Sequence, residues 1–166
     1  MSELVRTAKR TIPCPLNDVW VAMHRTADLA ITDGWQTIER TSDDAWAGEL
    51  QGKKVTCTTS YNADDYSAEV TMHNSMKRRT VDTTCLQATP TDGGTEVTIT
   101  TTIRGGAVTM FMVRLTGEGA MEKLGQNIIS NIEALCRGEE AHGLSQEELE
   151  AYARTRIDQI DHELNG

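Results

Sequence analysis

"EVTITTTIRGGAVTMFMVRLTGEGAMEKLGQNIISNIEAL", Glu96 to Leu135, changes its periodicity halfway along and thereby decides the fold class. From Val97 to Ile103 every second residue is apolar or threonine, the period of a strand with one face buried. Gly105-Gly106 interrupts it. Met121, Leu124, Ile128, Ile132 and Leu135 then recur at steps of three and four, one continuous helical stripe. Glu122, Gln126, Ser130 and Glu133 occupy the far side. "AVTMFMVRLTGEG" between them fits either the first turns of that helix or a separate segment, because Gly117 and Gly119 weaken helix. Gly138 supplies a C-terminal stop.

Upstream, Leu4 to Ile12 reads as a first strand, stopped by Pro13-Cys14-Pro15. Pro15 suits the first helical position, and Leu16, Val19, Trp20 and Met23 follow at helical spacing. Asp28 to Thr32 reads as a second short helical turn before the turn signal Asp33-Gly34. Short strands succeed one another after that: Trp35–Thr41, Trp46–Leu50, "KKVTCTTSY", Tyr66–Asn74, Arg79–Thr89 and Thr95–Ile103. Alternation groups Val55, Cys57, Thr59 and Tyr61; then Tyr66, Ala68, Val70 and Met72; then Val81, Thr83 and Cys85; then Val97, Ile99, Thr101 and Ile103. Strands joined by loops such as "SDDA", "NADD" and "PTDGG" make an antiparallel meander. Beyond the long helix, "RGEEAHG" reads as a linker. Ser145 with Glu148 opens a second amphipathic helix carrying Leu149, Ala153, Ile157, Ile160 and Leu164. Too short to stand alone, it must dock on its own domain or on a second copy in a homodimer. Two units follow: a domain over residues 1–138, and a linker with an acidic helix over 139–166.

The chain of 166 residues carries a net charge of −9, with 38% apolar residues and a single Phe. Arg137 to Gly166 holds three basic and eight acidic residues, a net of −5, which leaves −4 for the rest. Such a chain repels phosphate backbones, so nucleic acid is not an expected partner. Lys77-Arg78-Arg79 is the one basic run and reads as a solvated strand edge. No stretch approaches the roughly 18 apolar residues of a membrane span. "MSELVRTAKR" lacks the apolar run of a secretory signal, so a cytoplasmic location is expected. Cys14, Cys57, Cys85 and Cys136 lie far apart without a C-x-x-C pair, which argues against a metal site and for small buried side chains.

This order of one strand, two short helices, a run of antiparallel strands and a long final helix is that of the α+β helix-grip fold. The chain resembles the START-like, or SRPBCC, superfamily, which includes the birch-pollen allergen and polyketide cyclase-like proteins. "IPCPLNDVWVAMHRTADL" resembles the family's proline-bounded strand end and following Val-Trp helix. "TEVTITTTIRGG" running into the long helix is the second carrier. "KKVTCTTSYNADDYSAEVTMHNS" is similar to the central hairpin of a small bacterial subgroup. The likeness covers roughly residues 4–136 and leaves out the tail. It implies a sheet curled around the long helix with a cavity between them. Relatives hold lipids, sterols, polyketides or hormones there; a few are cyclases or hydrolases, and some are co-chaperones.

On that geometry the expected lining is Cys57, Thr59, Tyr61, Met72, Thr83, Cys85, Ile99 and Thr101. Met121, Leu124 and Ile128 face it, and Trp20 and Trp35 stand near the mouth. Apolar walls with a few small polar groups suit a hydrophobic or amphipathic ligand, although threonine also favours strands on any face. Catalytic signals are sparse. Glu69 and His73 alternate onto the outer face, His142 and His162 belong to the tail, and no phosphate-binding glycine motif occurs. No cofactor, metal or catalytic set is expected. A binding module is the leading reading; a cyclase- or hydrolase-type enzyme using Tyr61 or His24, and an interaction module acting through the C-terminal helix, are the alternatives.

Overall fold

The computed structural model describes residues 2–25, 35–42, 44–50, 53–74, 81–116, 118–142 and 162. Among the described residues seven strands and three helices follow in order: β1 (Ser2–Ile12), α1 (Leu16–Met23), β2 (Trp35–Ser42), β3 (Ala45–Leu50), β4 (Lys53–Asn62), β5 (Ser67–Asn74), β6 (Val81–Thr91), β7 (Gly94–Gly105), α2 (Ala107–Thr116) and α3 (Glu118–Cys136). They form one antiparallel sheet in the order β1-β7-β6-β5-β4-β3-β2, with β2 to β7 a meander and β1 added against β7. The expected α+β helix-grip architecture is observed. The ambiguous segment after Gly106 is a separate helix, α2. The second turn expected at Asp28–Thr32 and the C-terminal helix from Ser145 lie outside the described residues.

The β1–α1 corner is held by the start of β7. The Thr95 hydroxyl, fully buried, donates to the Cys14 carbonyl at 2.7 Å. Gly94 takes φ +138°, and a Cβ built there would stand 2.1 Å from the Ile12 carbonyl oxygen, so only glycine lets β7 pass this close. Pro15 precedes the helix rather than opening it: at ψ 148° it is extended, and its carbonyl accepts from the Asp18 and Val19 amides. Tyr66, expected as the first residue of β5, is instead a turn residue with φ +51°.

The buried stripe of α3 differs from the apolar stripe. Met121, Gly125, Ile129 and Ile132 are buried along it, while Leu124, Ile128 and Leu135 are half-buried on one flank. Gly125 marks the closest approach to the sheet, since a Cβ there would lie 2.9 Å from Ala8 Cβ on β1. The helix accordingly lies over β1 and β7, with α1 and α2 alongside. On the flank toward the sheet edge, Ser130 accepts from Arg10 Nη2 at 3.0 Å, and Glu133 pairs with Arg10 at 3.6 Å. At 100° per residue, Leu124 and Ile128 project from the opposite flank, toward the remaining strands. A Schellman cap ends α3: Gly138, at φ +76°, donates to Leu135, and Glu139 donates to Ala134. The chain then returns along the helix, where His142 exchanges bonds with Asn127 and Asn131.

Candidate functional site: the inner face of the sheet

Strand register sorts the inner-face residues into rows that run across the sheet. One row is Tyr61, Ala68, Leu86, Ile99 and Ala8. Ala68, Leu86, Ile99 and Ala8 are buried, and with Val19, Met23, Ile129 and Ile132 they form the main core under α1 and α3. The next row is Thr59, Val70, Thr84, Thr101 and Arg6. The one beyond it is Trp46, Cys57, Met72, Asp82, Ile103 and Leu4.

Among the described residues the buried apolar side chains fall into three separate clusters. Apart from the main core, Trp46, Val55 and Cys57 form one with Val70 and Met72, at the β3–β5 side. Leu4, Met110 and Met121 form another with Ile103 and Val113, under α2 and the start of α3. Between these two clusters β6 and β7 present Asp82, Thr84 and Thr101, each only half-buried. A strip of small polar side chains bordered by apolar walls can hold an amphipathic molecule.

Of the expected lining residues, Cys57, Thr59, Tyr61, Met72, Ile99 and Thr101 do lie on the inner face. Ile99, 1% exposed, is filled core rather than open wall. Met121 is buried with Leu4 and Met110, Ile128 packs against the main core, and Leu124 is half-buried on the same flank of α3. Thr83 and Cys85 are on the other side of the sheet, a correction to the expected lining. Cys85 pairs with Thr100, and its thiol donates to the exposed carboxylate of Glu69 at 3.5 Å. The cause is the hairpin after β6, whose two-residue loop pairs Thr91 with Gly94 and hence Leu86 with Ile99. With the odd-numbered residues of β7 facing inward, the even-numbered residues of β6 must do so too. Asp82 and Thr84 therefore replace Thr83 and Cys85. Trp46, 3% exposed, is a further inner-face residue that the alternation pattern did not assign. The side chain of Trp35 lies outside the described residues.

Trp20 belongs to an aromatic group at the C-terminus of α1, half-buried against the core. Its ring meets Tyr61 and Tyr66 edge-on at 6.0 and 5.7 Å, and His24 stacks on Tyr61 at 4.1 Å. His24 Nδ1 donates to the Trp20 carbonyl at 2.8 Å, which fixes the proton there when the ring is neutral. His24 itself is exposed, as are His73, His142 and His162.

The electrostatics of the strip centre on Asp82. It is the one carboxylate in a row otherwise apolar, and its Oδ1 is buried with no hydrogen-bond partner among the described residues. Burial pushes its pKa up from 3.8 to about 6. Burial together with this carboxylate pushes the Cys57 thiol up to about 12, so that thiol stays neutral and unreactive. Folded chains thus hold the Asp82 proton up to about pH 6, whereas unfolded chains release it near 3.8. Its contribution to stability is complete below about pH 4 and is lost as pH rises through 6. Asp82→Asn, which removes the charge, is expected to stabilise the protein by about 2 kcal/mol at pH 7.5. It should do little at pH 4. Urea unfolding of both proteins across that range checks it; equal stability gains at the two pH values would refute burial as the cause.

A curved antiparallel sheet closed by a long helix after its last strand defines the class: this is a helix-grip fold. Solved structures agree. A conserved protein of Geobacillus kaustophilus superposes with a TM-score of 0.63 at 14% identity, covering 81% of this chain and 96% of that one. A Thermus thermophilus protein gives 0.62 at 16% identity, covering 81% and 98%. Norcoclaurine synthase of Thalictrum flavum, solved as a point mutant with a transition-state analogue, gives 0.63 at 9% identity, covering 82% and 96%. At these identities the likeness is one of fold. No family model and no curated protein matches the sequence. Among the described residues no helix is long and apolar enough to cross a membrane, and no group of three or more His, Cys, Asp or Glu could hold a metal ion.

Proposed function

We propose that the protein binds a small amphipathic molecule on the inner face of its sheet, between β4–β7 and the Leu124–Ile128 flank of α3. The observation that carries this reading is the strip of Asp82, Thr84 and Thr101 separating two apolar clusters where a filled fold would have one continuous core. A buried carboxylate oxygen without a partner among the described residues, such as Asp82 Oδ1, is costly in a core but useful to a guest that satisfies it. Met72, half-buried at the border, adapts its shape to what it meets. The cyclase or hydrolase reading is less favoured. Tyr61 and His24 sit together beside α1, and Tyr61 stands two rows from Asp82.

Thermal unfolding against a panel of neutral amphiphiles tests it. A ligand at a hundred times its Kd contributes about 2.7 kcal/mol by mass action, expected here as a rise of several degrees in Tm. Thr84→Phe, which fills the strip, should abolish that rise while leaving the unliganded protein folded. A panel without effect on the wild-type protein would overturn the reading.

A further inference from the structure

The same strip carries a statement about the chemistry of its guest, and it rests on the binding reading above. Asp82 lies in the row Trp46–Cys57–Met72–Asp82–Ile103–Leu4, so apolar side chains flank it on both neighbouring strands. Met72 is its partner on β5 and Ile103 its partner on β7, and neither can donate a hydrogen bond. Its Oδ1 is buried and accepts nothing from the described residues. Among the described residues, Asp82 Oδ1 therefore has neither a donor nor a counter-charge. An ammonium supplies both at once, on a compact head that a single buried oxygen can accommodate.

Among the described residues the other charges around it do not do this work. On β1, Arg6 belongs to the neighbouring row and donates from Nη1 to the Val5 carbonyl. Arg10, further along β1, is tied to Ser130 and Glu133. On β4 the Cys57 thiol is neutral. From α2 and α3, Met110 and Met121 reach this end of the sheet. Glu122 is exposed, and Lys123 projects nearly half a turn away from the Gly125 side that meets the sheet. Burial, rather than any neighbouring charge, accounts for the raised pKa of Asp82. The whole chain, at −9, adds a field that concentrates cations at its surface.

We infer that the inner face is a site for an amphipathic amine, with the Asp82 carboxylate pairing the ammonium, Thr84 and Thr101 bordering it, and the apolar body lying against Met72 and the Leu124 flank of α3. Anionic amphiphiles are the excluded class, because a second negative charge beside an unpaired carboxylate is repelled.

The test compares three probes with the same apolar body: 2-(2-naphthyl)ethylamine, 2-(2-naphthyl)ethanol and 2-naphthylacetate. Calorimetric titration of the full chain at pH 7.5 should give affinity for the amine at least tenfold above the alcohol, with the acetate weakest. Asp82→Asn should bring amine and alcohol together within about twofold. On the wild-type protein, amine affinity should fall as pH drops from 7 to 5, toward tenfold per unit below the carboxyl pKa, while alcohol affinity stays flat. This profile needs no variant. Equal affinity of amine and alcohol for the wild-type protein overturns the amine inference and leaves the binding reading standing. Failure of all three probes to bind overturns both. An amine preference that survives unchanged in Asp82→Asn, or that has no pH dependence, overturns the role of Asp82.

Discussion

Gly94→Ala should cost the protein roughly 3–5 kcal/mol, while Gly93→Ala, one residue earlier, should cost less than about 0.5 kcal/mol. The two glycines share a hairpin and differ in what surrounds them and in backbone conformation. A Cβ at Gly94 would lie 2.1 Å from the Ile12 carbonyl oxygen and 3.1 Å from Pro13 Cα, both backbone atoms that no rotamer change can move. Its φ of +138° is also one that L side chains rarely adopt. At Gly93 nothing lies within 4 Å. Strain of about 1–3 kcal/mol and overpacking of similar size add at Gly94, against a total stability of order 5–15 kcal/mol. Chemical denaturation of the two variants measures the difference. Similar midpoints would mean that the β1–α1 corner is not held by the close passage of β7.

Gly125→Leu is the second large effect, with about 3–5 kcal/mol expected from overpacking where α3 touches the sheet. The obstacle is Ala8 Cβ at 2.9 Å, with Ile99 behind it at 3.9 Å. Gly125→Ala is a finer probe. Its gain in helix propensity, about 1 kcal/mol, offsets a clash of comparable size. Combining it with Ala8→Gly should relieve that clash. The double mutant is therefore expected to be more stable than the sum of the singles by about 1 kcal/mol or more, a coupling that only neighbours show. Additive behaviour would place the helix farther from β1 than the structure has it.

These two glycines also explain how much was legible in the sequence. The order of elements, the meander and the long final helix were readable because apolar side chains announce their period. The stripe Met121–Leu124–Ile128–Ile132–Leu135 is one such signal, yet the axis of contact runs through Gly125 and Ile129. A glycine has no side chain for a hydrophobic pattern to register, although it sets how close the helix can come. The inner face of β4 and β7 was likewise legible from Cys57, Thr59, Ile99 and Thr101. That of β6 was not, because alternation in "VDTTCLQAT" is weak until Leu86 and Ala88, both buried. Reading "PTDGG" as a long loop leaves the parity of β6 open, whereas a two-residue Asp92-Gly93 loop fixes it. Asp82, the most informative side chain of the site, was hidden behind that one-residue ambiguity.

Methyl-detected NMR of the full chain, titrated with 2-(2-naphthyl)ethanol, tests the central claim most directly, since the proposed walls and the filled core both carry methyl groups. Shifts should concentrate on Met72, Thr84, Thr101 and Leu124, with contacts from the naphthyl ring to the same methyls. Ile129 and Ile132, fully buried in the main core, should stay unmoved. A titration that perturbs only the exposed Val108 of α2, or that leaves the Thr84 and Thr101 methyls unchanged at saturation, would contradict a guest between the sheet and the helix.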